Sequence, residues 1–176
     1  MKQLMRNYSL NFFDRKFLEE IQLFTPQRNF KTHEITLLSS GGDISKSYKI
    51  SDLSSFMKGM LYERLVGIQF ENNGHDVEYC GLKKGVLDQG IDLICRKSGQ
   101  PTCYIQCKSG EKTIGKQGIE TILYKGGNFI AKNEKDKCRF ILAIESEKLV
   151  SEVNRRRFLN WNQLQSKVKL EIKTFS

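Results

Sequence analysis

Phe17, Leu18, Ile21 and Phe24 recur at helical spacing and predict a helix over residues 15–24, with Asp14 as its N-cap. Thr25-Pro26 ends it, because proline disfavours helical backbone in the residue before it. Residues 34–38 read as a strand, and Ser39-Ser40-Gly41-Gly42-Asp43 as a turn or linker. A second stripe (Phe56, Met57, Met60, Leu61, Leu65, Ile68, Phe70) predicts a helix from Leu53 or Ser54 to Asn72, with Glu63 on its polar side. Asn73-Gly74 then supplies a C-cap.

Beyond Gly74 the period shortens. Residues 76–80 read as a short strand, and residues 81–90 as a loop holding Gly81, Gly85 and Gly90. Residues 91–96 and 101–108 are apolar runs around the turn Lys97-Ser98-Gly99-Gln100, which predicts a β-hairpin. A helix is expected from about Lys116. Residues 139–145 read as a buried strand, with Phe140, Ile141, Leu142, Ala143 and Ile144 in an unbroken apolar row. Ser146 is placed to cap a helix containing Leu149, Val150 and Val153. Over residues 167–175, Val168, Leu170 and Ile172 alternate with Lys167, Lys169, Glu171 and Lys173, as in a half-buried strand. From Ser54 the order is α–β–β–β–α–β–α–β, which predicts an α/β fold: a mixed sheet flanked by helices, with residues 1–55 as an N-terminal extension. No internal repeat or low-complexity segment is present.

The 176 residues suit one elaborated domain, or a domain with an appendage. No apolar stretch reaches the roughly 18–20 residues needed to span a bilayer, so no membrane role is expected. Residues 1–16 lack a long apolar core and a small-residue cleavage site, so no secretory leader is expected. Lys and Arg number 29 against 20 acids, a net +9. Residues 1–55 carry 8 basic and 6 acidic side chains and residues 56–176 carry 21 and 14, so the excess lies in the later part. Such a surface attracts a phosphate backbone. Cys80, Cys95, Cys103, Cys107 and Cys138 form no C-x-x-C pair, which excludes zinc-ribbon and dithiol redox readings. Free thiols in apolar strands suit a reducing compartment, the cytoplasm or an organellar matrix. His33 and His75 are far apart and have no triad or metal-ligand company.

Three places combine into candidate chemistry. The second helix carries Gly59-x-x-x-Glu63, the first hairpin strand opens Gly90-Ile91-Asp92-Leu93-Ile94, and the second ends Ile105-Gln106-Cys107-Lys108. Side chains at i and i+2 share a strand face, so Gln106 and Lys108 face one way and Cys107 the other. Asp92 and Lys108 are similarly far from the turn, so a carboxylate, an amide and an ammonium can meet at one sheet edge, within reach of Glu63. This set suits metal-dependent phosphodiester hydrolysis. A hard cation such as Mg²⁺ takes oxygen ligands: Asp92 centrally, with Glu63, Gln106 and the main-chain carbonyl of Cys107. Lys108 would stabilise charge on the phosphate. Each residue taken alone reads as ordinary structure: Asp92 as a turn aspartate, Lys108 as a solvated charge, Glu63 as a polar helix face. The joint spacing favours a site.

Residues from about 56 to 175 resemble the PD-(D/E)xK nuclease superfamily, the restriction endonuclease-like fold, and most nearly its Mrr-type restriction endonuclease branch. The likeness rests on GMLYERL, GLKKGVLDQGIDLIC, YIQCKS and RFILAIES. It implies a nuclease domain over residues 56–176, Mg²⁺ as cofactor with Mn²⁺ able to substitute, and DNA as partner. By the resemblance Asp92 is a metal ligand, Lys108 the catalytic lysine, Gln106 the variant motif position and Glu63 the helix carboxylate. Asp88 and Gln117 stand near the motif as further candidates. The expected activity is Mg²⁺-dependent DNA cleavage of restriction type. The alternatives are a structure-specific nuclease such as a Holliday-junction resolvase, working as a homodimer, and a non-cleaving nucleic-acid-binding module of the same fold. Residues 1–55 fall outside the resemblance.

Lys83, Lys84, Arg155, Arg156 and Arg157 are candidate phosphate contacts. Ser109-Gly110-Glu111-Lys112-Thr113 looks like the end of a P-loop but has glutamate where glycine is required, so nucleotide triphosphate binding is not expected. Trp161 is expected to pack rather than stack on a base.

Overall fold

The computed structural model describes residues 11–29, 31–84, 90–161 and 167–175, the side chains of Lys83 and Lys84 excepted. The chain forms two compact units, Met1–Leu65 and Val66–Ser176.

The first unit opens with α1 (Phe12–Leu23), whose Phe17 and Ile21 are buried as the stripe predicts. The helix starts three residues earlier than expected. Asn11, not Asp14, is its N-cap: the Asn11 side-chain oxygen accepts the Asp14 N–H at 2.8 Å. Asp14 lies inside the first turn, where its carboxylate accepts the Asn11 amide at 2.9 Å and the Ser54 hydroxyl at 2.8 Å. The chain then builds a three-stranded antiparallel sheet in the order β1 (Thr25–Asn29), β2 (Glu34–Leu38), β3 (Ile44–Lys49). Pro26 ends the helix as expected but also enters β1, an edge strand, where a missing N–H is tolerated. Residues 39–43 turn β2 into β3. Ser54 accepts the Met57 N–H at 3.1 Å and so caps α2 (Ser55–Asn72), which runs on into the second unit.

The second unit holds a five-stranded mixed sheet in the order β4 (Asp76–Tyr79), β5 (Leu93–Arg96), β6 (Cys103–Lys108), β7 (Cys138–Ile144), β8 (Val168–Thr174). The first three strands pair antiparallel; β6–β7 and β7–β8 pair parallel. Parallel neighbours need crossovers, which α4 (Lys116–Asn133) and α5 (Glu152–Leu159) supply. A short helix, α3 (Cys80–Lys84), occupies the start of the predicted glycine loop. Ser146 caps only a single 3₁₀ turn, Glu147–Leu149; the cap of α5 is Ser151, which accepts the Asn154 N–H at 3.4 Å.

The core lies where α4 and α5 cover one sheet face. Ile119, Ile122, Leu123 and Ile130 of α4 and Phe158 of α5 pack on Ile94, Tyr104, Phe140 and Leu142. Trp161 packs against this cluster, as expected. Gly126 lets α4 approach closely, because a Cβ there would collide with the Phe140 ring. The opposite face buries Leu93, Cys95, Ile105, Ile141 and Ala143. All five cysteines are buried thiols, none of them in a disulfide. Burial pushes the thiols of Cys95 and Cys103 up, and that of Cys138 up to about 11. Outermost on β8, Lys169 and Lys173 flank Glu171, their side chains 74% and 42% exposed. No helix among the described residues is long and apolar enough to cross a membrane.

Candidate functional site

Asp92 sits one residue before β5, fixed through its main chain. Its N–H donates to Ile105 O at 2.8 Å, and its carbonyl accepts the N–H groups of Cys80 and Gly81 at 2.7 and 3.1 Å, tying it to the start of α3. Gly90 makes this path accessible. Its φ of +86° lies in the region that glycine tolerates, and a Cβ would stand 2.7 Å from Lys125 Cβ on α4.

The hairpin register pairs Leu93 with Ile105 and Ile94 with Tyr104, which sets Asp92 beside Gln106. The Gln106 amide nitrogen donates to Asp92 Oδ2 at 2.5 Å, and the Cys107 backbone N–H donates to the same oxygen at 2.6 Å. Asp92 and Gln106 are 6% and 5% exposed, a carboxylate and an amide held together in a nearly dry setting. The Gln106 amide also reaches the Cys107 carbonyl at 3.4 Å. A buried carboxylate requires such donors or a cation, because an isolated charge is strongly destabilised there.

Lys108 ends β6 opposite Ile144 of β7, half-buried, with its carbonyl accepting the Glu145 N–H at 3.1 Å. Strand alternation puts Lys108 on the Gln106 face. The Asp92, Gln106, Cys107 and Lys108 group is therefore brought to one end of β5 and β6, as the turn arithmetic requires. Glu63 lies on the part of α2 that belongs to the first unit. It is 2% exposed, rather than on a solvated polar face. Gln117 is exposed in the first turn of α4. Asp88 lies outside the described residues, as do the side chains of Lys83 and Lys84.

Each of the three arginines has an intramolecular partner. Arg155 pairs with Glu147, Arg156 with Glu152 at 3.1 Å, and Arg157 donates to Asn154 at 2.6 Å and stands 3.8 Å from Glu120. The sequence reading missed two features. One is the Cys107 N–H, which no side-chain pattern signals. The other is Glu145, just past β7, whose carboxylate accepts the Gly110 N–H at 3.1 Å beside the end of β6.

Among the described residues no three His, Cys, Asp or Glu side chains cluster as a metal-holding group. The donors gathered in the second unit are one carboxylate, one amide and one main-chain carbonyl. Each carries a hard oxygen, which fits Mg²⁺ better than a thiophilic ion, although the Gln106 amide here presents its nitrogen to Asp92.

No curated protein matches the chain significantly. Among solved structures, it is similar to a repair endonuclease from Pyrococcus abyssi, with a TM-score of 0.45, 10% identity and 86% of this chain covered. The chain spans 65% of the length of that structure. The family model of the Mrr catalytic domain, a restriction endonuclease, matches residues 55–141, which include Glu63, Asp92, Gln106, Cys107 and Lys108. Through that segment, just under half of the chain, the protein is similar to the catalytic domain of Mrr-type restriction endonucleases.

Proposed function

We propose that this chain is a metal-dependent DNA endonuclease of Mrr-like restriction type, with its nuclease domain over residues 56–176 and residues 1–55 as an extension. The observation that carries the reading is the junction of Asp92 with Gln106 and the Cys107 main chain, with Lys108 next on the same strand.

Asp92, the Gln106 amide oxygen and the Cys107 carbonyl would hold Mg²⁺, with Mn²⁺ able to substitute; Glu63 is the second carboxylate that the family resemblance assigns. A flip of the Gln106 amide exchanges the nitrogen that now faces Asp92 for its oxygen. When bound, the cation makes water more acidic and neutralises charge on the phosphate. Lys108, on the Gln106 face, stabilises the phosphate oxygens as the attacking water's oxygen bonds to phosphorus. The ester P–O bond breaks, the leaving oxygen gains a proton through solvent, and one product carries the phosphate. The buried walls around Asp92 limit competing water and strengthen these charge interactions. Arg156 contributes to DNA binding, since its exposed pair with Glu152 is weak enough for phosphate to displace. Lys83, Lys84, Arg155 and Arg157 complete the proposed phosphate contacts.

The test incubates supercoiled, linear and four-way-junction DNA with Mg²⁺, Mn²⁺ or chelator, comparing wild type with Asp92→Ala and Lys108→Ala. Cutting that requires metal and is abolished by both substitutions supports the proposal. Selective cutting of junctions replaces it with the resolvase reading. Retarded but intact DNA in every lane replaces it with a binding module.

A further inference from the structure

A polar cavity of about 360 Å³ opens within the second unit, away from Asp92. Its position follows from the register. Arg139, which lines it, pairs with Cys103 at the start of β6, whereas Lys108 ends that strand, about 16 Å further along at 3.3 Å per residue. Arg139 and Cys103 also occupy the sheet face opposite to Gln106, because Gln106 lies three positions along the strand from Cys103. The cavity is therefore not part of the proposed catalytic group around Asp92.

Its lining has one sign of charge. Lys97 comes from the β5–β6 turn, Arg139 from β7 and Lys173 from β8, and no carboxylate belongs to the lining. The nearby acid is Glu171, which accepts two bonds from Arg139, at 2.6 and 3.0 Å, and stands 3.6 Å from Lys173. One carboxylate thus stands beside a cavity lined by three cations. The Arg139 guanidinium is committed to Glu171 and contributes its field; the two lysines carry the mobile donors. Lys97 now donates to the Asn73 carbonyl at 2.8 Å at the end of α2, and the side chain of Lys173 is 42% exposed. Beside them stand two aromatic rings, Phe70 and Phe175, with centroids 5.9 Å apart and planes inclined by 39°. The cavity thus combines an ammonium pair that suits phosphate with a ring-lined wall that suits a flat heterocycle. Its volume lies toward the low end of the range for small-molecule sites.

We propose that this cavity binds a phosphorylated nucleoside, either a free mononucleotide or the 5′-phosphate end of a nucleic-acid strand, with Lys97 and Lys173 on the phosphate and Phe70 and Phe175 against the base. This goes beyond the cleavage reading and stands without it.

The test is calorimetric titration of the full chain with adenosine 5′-monophosphate, adenosine, inorganic phosphate and a short 5′-phosphorylated single-stranded oligonucleotide. Each probe is run on wild type, the double variant Lys97→Gln/Lys173→Gln, Phe175→Ala and Asp92→Ala. The expected result is one mononucleotide site per chain, weakened about tenfold or more in the double variant, weakened in Phe175→Ala and unchanged in Asp92→Ala. Tighter binding of the oligonucleotide than of the mononucleotide, with the same loss in the double variant, identifies a strand end as the source; the reverse order identifies a free nucleotide. Adenosine binding as well as its phosphate, inorganic phosphate binding as well as the mononucleotide, or affinity unchanged in the double variant would overturn the proposal. Failure of DNA cleavage leaves these readings intact, and nucleotide binding lost in Asp92→Ala alone would place the ligand at the Asp92 group instead.

Discussion

The backbone N–H of Cys107 donates to Oδ2 of Asp92 at 2.6 Å, so the acid on one strand is held by the main chain of its neighbour. Asp92→Asn keeps an oxygen for that N–H but removes the charge. We expect DNA cleavage to fall by about 100-fold or more, with a melting temperature within a few degrees of wild type. A variant that still cuts near the wild-type rate would remove Asp92 from the catalytic group.

Gln106→Glu places a second carboxylate where an amide now donates to Asp92 at 2.5 Å. Like charges in so buried a setting repel unless a cation lies between them. The variant should melt below wild type in chelator and gain more than wild type from added Mg²⁺. Thermal melts across a Mg²⁺ titration measure both; an equal Mg²⁺ response in the two proteins would contradict a metal at this position.

Gly126→Ala drives a methyl group into the Phe140 ring where α4 crosses β7. Overpacking of this kind costs about 1–3 kcal/mol, read as a lower urea midpoint. Gly90→Ala adds an unfavourable positive φ to a steric conflict with α4. Because Asp92 follows two residues later, cleavage should fall there beyond what the lost stability explains. If Gly90→Ala were as stable and active as wild type, the close approach would have no role in seating Asp92.

The hydrogen bonds from Arg139 hold Glu171 below its usual value of 4.5, against the opposing effect of burial. A carboxylate with a depressed folded pKa stabilises the fold above its unfolded pKa. That contribution fades as pH drops through the folded value. The stability gap between wild type and Glu171→Gln should therefore be full at neutral pH and shrink below about pH 4.5. Urea denaturation at pH 7, 5 and 3.5 checks this; a gap that does not narrow in acid would mean that Glu171 is not stabilised as a charged group.

Much of the chain from α2 onward was legible because its elements announce themselves by period. The α2 stripe, the 97–100 turn, the α4 start at Lys116 and the alternating β8 all fall where the pattern puts them, to within a residue or three. The strands before α2 were harder. β3 is polar, Ile-Ser-Lys-Ser-Tyr-Lys, and β1 contains Pro26, so neither carries the apolar alternation that marks a strand. Ser146 and Ser151 offer the same capping chemistry, and only packing decides which one starts α5. At the site, counting outward from the turn was enough to place Asp92 beside Gln106. The Cys107 N–H was hidden because a main-chain donor leaves no mark on residue identity. Glu63 shows the converse, since a single acid in a helix looks solvated until its burial is known.

Lys169 and Lys173 have a consequence for how copies of this chain can associate. β8 is the last of the five described strands of its sheet, and its outer hydrogen-bonding rim is where a foreign strand would dock. An incoming segment would have to crowd two ammonium groups and strip water from them. Fibrous growth from that flank is thereby discouraged, and any stable pairing of copies is steered to other parts of the surface.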